Sequence, residues 1–285
     1  MLSKNIRNLR DTMAFTSNLR KIVKSKNSQT KPDNKFSAEN WLFIIPLTIL
    51  FVGWELTLRL NLTLVDKLPL PSEILSVLFF NLLYNPEFIL SVFKSLANLM
   101  AGIFLASLIA IPMAIVAGLK NKMDSSLTPL IMIVGALPDV ALLPFFVYWF
   151  GRGAVAAIIM ATVVAFFPLF FTVREGVKNI PKDYFHVAYV YKAKKIDVYT
   201  KLVLPAIYPQ LITGIRLAYE FLWEIVLAIE IIASISGIGF IINFAVEEGS
   251  LAYAFAGIFM IGIIAILIDR LIFNRLEEKI KRWHE

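Results

Sequence analysis

Six runs in which nearly every position is apolar divide the chain: Trp41 to Leu58, Leu96 to Leu119, Leu127 to Phe150, Ala154 to Val173, Ile215 to Ile235, and Leu251 to Phe273. Each is long enough to cross a hydrocarbon layer of roughly 30 Å as a helix of about 20 residues. A helix also satisfies its own backbone where water is absent. The pattern predicts an all-α, polytopic membrane protein with six transmembrane helices. Leu62 to Phe88 carries shorter apolar pieces broken by Pro69, Pro71 and Pro86, which predicts an external loop with a short interfacial helix. Residues 1–40 hold no apolar run of signal-peptide length and predict a basic tail. A surface-lying amphipathic helix over Ile6 to Val23 is the alternative for that tail.

Composition agrees with the pattern. Of 285 residues, 58% are apolar and 17% charged, with a mean hydropathy of +0.73; soluble domains run about 45–50% and about 25%. A water-soluble globule is excluded. The sequence has no cysteine, which removes disulfides, thiolate nucleophiles and Cys-bound metal, and two histidines, His186 and His284, make no cluster. No metal site is expected.

The net charge of +7 raises nucleic acid as a partner, but its distribution answers differently. With the N-terminus inside, Lys and Arg number nine in the tail, two at Lys120 and Lys122, eight from Arg174 to Arg216 and five after Asp269. Only Arg59, Lys67, Lys94 and Arg152 then lie outside. The excess of inner cations predicts that both termini are cytoplasmic and leaves no need for nucleic acid.

The inner segment from about 174 to 214 is far longer than an ordinary helix connection. Ile180-Pro181-Lys182-Asp183 reads as a helix start, with Asp183 where an acid favours the helix dipole. Tyr184, Val187, Ala188 and Tyr191 then recur at three- and four-residue steps as one apolar stripe. A second stretch, Ile196 to Leu204, is expected to stop at Pro205 and Pro209. The stripe predicts either a platform for a soluble partner or a lipid-facing connector.

At this loop the chain resembles the membrane subunit, or permease, of binding-protein-dependent ABC importers, in the branch that includes nitrate, sulfonate and taurine transporters. The family signature runs Glu-Ala-Ala, Gly four residues after the second Ala, and Leu-Pro thirteen residues later. Aligned on Leu204-Pro205, Ala188 takes the second Ala, His186 the acid and Lys192 the Gly, with Val187 between. Ala193, Pro209, Gly214 and Arg216 also agree. Glycine at the turn would allow a left-handed residue, so Lys192 predicts a different turn. Further matches are Leu68-Pro69-Leu70-Pro71-Ser72-Glu73, Pro138 and Pro144 before Trp149-Phe150-Gly151-Arg152-Gly153, Pro168, Glu230, Ser236-Gly237-Ile238-Gly239-Phe240 and Trp283.

The resemblance implies a six-helix permease domain over 41–273, a basic N-terminal tail over 1–40, a coupling loop at about 174–214, and a C-terminal tail over 274–285. It implies a multi-pass protein of the inner (cytoplasmic) membrane, paired with a second copy, two ATP-binding subunits and an extracytoplasmic solute-binding protein. ATP and Mg would be bound by the partner ATPase, since this chain has no Gly-x-x-x-x-Gly-Lys-Ser/Thr run; the chain is then no enzyme by itself. The implied ATPase-docking residues are Asp183, His186, Val187, Ala188, Tyr191, Lys192, Ala193, Leu204 and Pro205.

Asp139, Glu220, Glu224 and Glu230 fall inside predicted spans, where an unpaired charge costs at least about 2.5–3.5 kcal/mol. Glu220 and Glu224 share a helix face with Arg216, and Glu230 lies off that face. Two readings fit: the acids line a translocation pathway, or Arg216 and Glu220 pair at the boundary while the others are protonated or bonded to backbone. In the first, the route favours a neutral or cationic solute. Glu230 matches a position that is acidic across the family, which implies a structural or gating role. The competing function is a proton-coupled secondary transporter that uses these acids. An intramembrane enzyme lacks a convergent nucleophile, base or metal set.

Overall fold

The computed structural model describes residues 44–62, 67–233 and 236–281. The basic tail expected over 1–40 and Trp283 lie outside them. Every described element is helical. Helix α1, Ile44–Arg59, has 16 residues, mostly apolar, with Glu55 among them and Arg59 in its last turn.

From Thr57 onward the chain forms one compact unit. Its elements are α2 (Pro71–Tyr84), α3 (Pro86–Leu119), α4 (Asn121–Gly135), α5 (Asp139–Phe150), α6 (Ala154–Lys178) and α7 (Lys182–Val190). Then come α8 (Lys195–Asp197), a π-helical turn (Val198–Val203), α9 (Leu204–Ala206), α10 (Tyr208–Ala233), α11 (Ile238–Glu247), α12 (Leu251–Ile268), a second π-helical turn (Asp269–Phe273) and α13 (Asn274–Lys281). By length and composition α3, α6 and the run from Leu251 to Lys279 can each cross a membrane, and five spans result if the bent pairs α4–α5 and α10–α11 each count as one.

Helix α6 is the centre, packed between α3 and α10. The α3 face that meets it is made of small residues: Gly102, Ala106, Ala110, Ala114 and Ala117 are buried, opposite Ala157, Ala161 and Ala165. Where lipid replaces water, apolar helices gain little from mutual burial, and close backbone approach supplies the attraction. Gly118 shows how close: a Cβ there would lie 2.6 Å from Val177 Cβ.

Prolines start helices here more than they break them. Pro71 stands at the beginning of α2, and Pro86 at the beginning of α3, where the missing N–H costs nothing. The Asn85 side chain caps α3 by accepting from Glu87 N (3.1 Å) and Phe88 N (3.2 Å), and donates to Tyr253 Oη on α12 (3.1 Å). The segment expected from Leu96 therefore begins ten residues earlier, at Pro86. Within the proposed loop, α2 buries Ile74 and Leu78 and packs on α12.

Two expectations are corrected. The run Leu127 to Phe150 is not one continuous helix: α4 and α5 meet at 89°. Pro138 biases Leu137 away from helical backbone, and α4 ends at Gly135 with Ala136 N donating back to Met132 O. The stretch after Ile196 does not stop at Pro205 and Pro209; it passes through the π-helical turn into α9 and on to α10. The wider π turn absorbs the bonding mismatch of chain that includes two prolines. Helix α11, in the connection before the last apolar run, was not anticipated.

Candidate functional site

The 174–216 segment presents an exposed platform. Helix α7 has no buried residue, and Tyr184, Val187, Tyr189, Val190 and Tyr191 are all exposed. The expected stripe of Tyr184, Val187 and Tyr191 therefore faces outward, with Ala188 half-buried behind it. Asp183 occupies the first turn and stands 3.9 Å from His186 Nδ1, both well exposed.

The end of α7 corrects the expectation for Lys192. Its φ is +50°, so lysine takes the left-handed conformation itself. Ala193 N donates to Ala188 O (3.0 Å) and Lys192 N to Tyr189 O (2.9 Å). That pair of bonds is the Schellman termination usually built on glycine, kept here at a cost of about 1–2 kcal/mol for a residue with a Cβ. The turn is thus the one glycine would give. Leu204 and Pro205 are exposed on α9, joined to α7 by the turn and the π-helical stretch.

The platform is mounted firmly. Ile180 is buried between α6 and α7, and Ile180 N donates to Val177 O (3.3 Å). One turn back, Arg174 and Lys178 both converge on Asp124 of α4: Arg174 Nη2 donates to Asp124 Oδ2 at 2.8 Å, while Arg174 Nε and Lys178 Nζ close on Oδ1 and Oδ2. Thr128 Oγ1 adds a 2.7 Å bond to Asp124. The sequence reading missed this cluster, whose signal is a lone acid between Lys122 and the apolar run of α4, four residues before a threonine.

The four intramembrane acids separate into two settings. Glu220 and Glu224 are exposed on α10, and Asp139 is half-buried in the first turn of α5. Helix α5 packs on α10, which brings Asp139 within electrostatic range of Glu224. Arg216 Nε lies 3.4 Å from Glu220, as expected, but its stronger partners are Glu277 (2.7 Å) and Asp269 (3.2 Å to Oδ2), which tie α10 to the C-terminal helix.

Glu230 is wholly enclosed. Its Oε2 accepts from Ser95 Oγ (2.6 Å) and Gly239 N (3.1 Å), and its Oε1 from Asn98 Nδ2 (3.1 Å). Ser95 Oγ in turn accepts from Ile238 N (2.8 Å). The first two backbone N–H groups of α11 therefore end on a carboxylate and a hydroxyl supplied by α10 and α3. Gly237 and Gly239 permit this: a Cβ on Gly237 would run into the Glu230 carboxylate, and one on Gly239 would lie 2.8 Å from Leu227 O. Glu230 thus braces three helices, and the Ser236-Gly237-Ile238-Gly239-Phe240 motif acquires a physical reason. Ser95 and Asn98, polar residues three apart in an apolar helix, were the unread half of that signal.

Comparison with known proteins agrees with the architecture. Residues 102–282 match the family described as binding-protein-dependent transport system inner membrane component. The chain is 30% identical over 238 residues to a putative ABC transporter permease protein of Methanocaldococcus jannaschii, covering 82% of this chain and 88% of that one. It is 29% identical over 249 residues to the taurine transport system permease protein of Escherichia coli (85% and 90% covered), and 27% identical over 240 residues to a putative aliphatic sulfonates transport permease protein of Bacillus subtilis (84% and 86%). The fold matches a chain of the MetNI methionine ABC transporter in inward-facing form, with a TM-score of 0.57 at 19% identity, over 66% of this chain and 93% of that one. An all-helical membrane fold, a mounted platform after its central helix and a family match across 102–282 together make this chain a member of the binding-protein-dependent transport system inner membrane components: it is the permease subunit of an ABC importer, working with separate ATPase subunits and not itself an enzyme.

Proposed function

We propose that two copies of this chain form the pathway of an inner-membrane importer. Two ATP-binding subunits hold ATP and Mg beneath it, and an extracytoplasmic binding protein delivers solute from the other side. Both termini are cytoplasmic in this arrangement, and α1 supplies a sixth span beside the five counted from the helices. The observation that carries the reading is the exposed aromatic and aliphatic face of α7, with its Schellman turn at Lys192. A short helix whose apolar side chains face outward at the end of a firmly packed helix suits docking of a soluble partner. Asp183, His186, Val187, Ala188, Tyr191, Lys192 and Ala193 make the contact, with Leu204 and Pro205 at its edge.

The chain has no native cysteine, so disulfide trapping tests this cleanly. Ala188→Cys or Tyr191→Cys should crosslink to a cysteine-bearing partner ATPase subunit. Absence of crosslinks along the whole of 183–193 would refute the docking face.

Glu220 and Glu224 are exposed, with the half-buried Asp139 near Glu224, and the three line the route, which favours a neutral or cationic solute. Glu230, being enclosed, braces the helices instead. Asp139→Asn with Glu224→Gln should lower uptake several-fold while leaving assembly intact; unchanged uptake would remove both from the pathway. Uptake into vesicles that requires internal ATP and survives an uncoupler separates this reading from proton-coupled transport.

A further inference from the structure

We propose that Asp124 is a positioning residue that passes movement of the α7 platform to α4 and, through the 89° elbow at 136–138, to Asp139. The proposal rests on the docking reading above. Three observations carry it. First, the platform begins four residues after Lys178, and the intervening residues are fixed by Asn179 N to Glu175 O (3.1 Å), Ile180 N to Val177 O and the burial of Ile180. A push on α7 therefore reaches the last turn of α6 with no slack loop to absorb it.

Second, that last turn ends on Asp124. The Asp124 carboxylate accepts the Arg174 fork and the Lys178 ammonium, and the Asp124 and Arg174 side chains retain only 13% and 17% of their exposure. A bidentate, partly desolvated pair resists shear far better than a solvated surface contact. Third, among the described residues α4 has two other attachments, its packing on α3 and Gly135 at its far end against Phe167 of α6. Of its 15 residues only Thr128 is buried, and Thr128 itself bonds Asp124. Helix α4 is an arm held at its base by charge, and its far end is the elbow that sets the direction of α5.

An arm held in this way follows its base. When α7 pushes on the last turn of α6, the load passes to α4 because Asp124 holds both cations, and α5 swings with α4. With the clamp cut, α7 can still move, while α4 is left with its packing on α3 and the contact of Gly135 with Phe167.

The test uses the complex of this permease with its ATPase subunits in proteoliposomes, probed with Mg-ATP and vanadate. Single cysteines carrying an environment-sensitive fluorophore are placed at Lys194, exposed beside the platform, and at Leu137, exposed at the elbow. In the parent both labels should respond. In Asp124→Asn the Lys194 label should still respond, while the Leu137 response falls about fivefold, the scale expected when a linking element is cut; Asp124→Glu should restore most of it. Lys178→Gln, which leaves the Arg174 fork in place, should give a partial loss and carries the test if Asp124→Asn does not assemble. Parent-like elbow response in every variant that assembles would overturn the clamp. A Lys194 label silent in the parent would overturn the docking reading, and the clamp with it.

Discussion

Truncating Glu230 tests the brace between α3, α10 and α11. The side chain is fully enclosed, and Ser95 and Asn98 around it are 1% and 6% exposed. In Glu230→Ala the Asn98 amide and the Gly239 N–H lose their only described acceptor, whereas Ser95 can turn toward Ser91 O at 3.3 Å. Each buried donor left unmade costs about 1–3 kcal/mol. With the void added, the loss is about 3–5 kcal/mol. In domains of 150–250 residues each kcal/mol moves Tm by about 2–4 °C, so a drop of about 6–20 °C is expected. Glu230→Gln keeps the volume and one acceptor oxygen and should fall roughly midway. The assay is thermal unfolding of detergent-purified protein followed by tryptophan fluorescence. A companion cycle sharpens it: Gly237→Ala meets the Glu230 carboxylate directly, so its penalty should shrink in the Glu230→Ala background. An alanine variant that melts with the parent, or a glycine penalty indifferent to residue 230, would refute the brace.

Other consequences are open to measurement. Lys192→Gly relieves a left-handed lysine and should stabilise the α7 termination by about 1 kcal/mol, read as slower amide exchange in 187–193; faster exchange would show that the lysine side chain supplies something the backbone does not. Arg216→Ala removes the cation shared by Glu220, Asp269 and Glu277 and should raise exchange across α13 about tenfold with little change in α6, since local openings are set by local attachments; unaltered exchange in α13 would assign its docking to packing alone.

Much of the fold was legible from hydropathy because a bilayer leaves the backbone few choices. The C-terminal end of α3, the start of α6 and the outward stripe of α7 follow from run lengths and three- and four-residue spacing. What the pattern hid was local geometry. A proline inside an apolar run reads as a kink, yet Pro138 accompanies a right-angled break because it holds Leu137 out of helical backbone, whereas Pro205 follows a π-helical turn and Pro209 stands in the first turn of α10. Lys192 was misread for a related reason: the Cβ penalty of a left-handed residue is small against the two hydrogen bonds it completes. Asp124, Ser95 and Asn98 were missed because their meaning lies in partners 50 to 143 positions away, a distance that periodicity does not reach. The angular separation of Glu220 and Glu230 on one helix was legible, but the enclosure of Glu230 was not, because it depends on Ser95 and Asn98 of another helix.

The seam of glycine and alanine between α3 and α6 has a mechanical consequence. Two helices whose backbones touch through Gly102, Ala161, Gly118 and Val177 have no cushion of long side chains in which to roll, because any rotation drives a Cβ into main chain. That pair serves as the stator of the subunit: alternating exposure of a solute route has to be borne by the lightly anchored parts around it, and a single leucine introduced at position 102 or 118 should jam assembly of the machine before it ever alters its cargo.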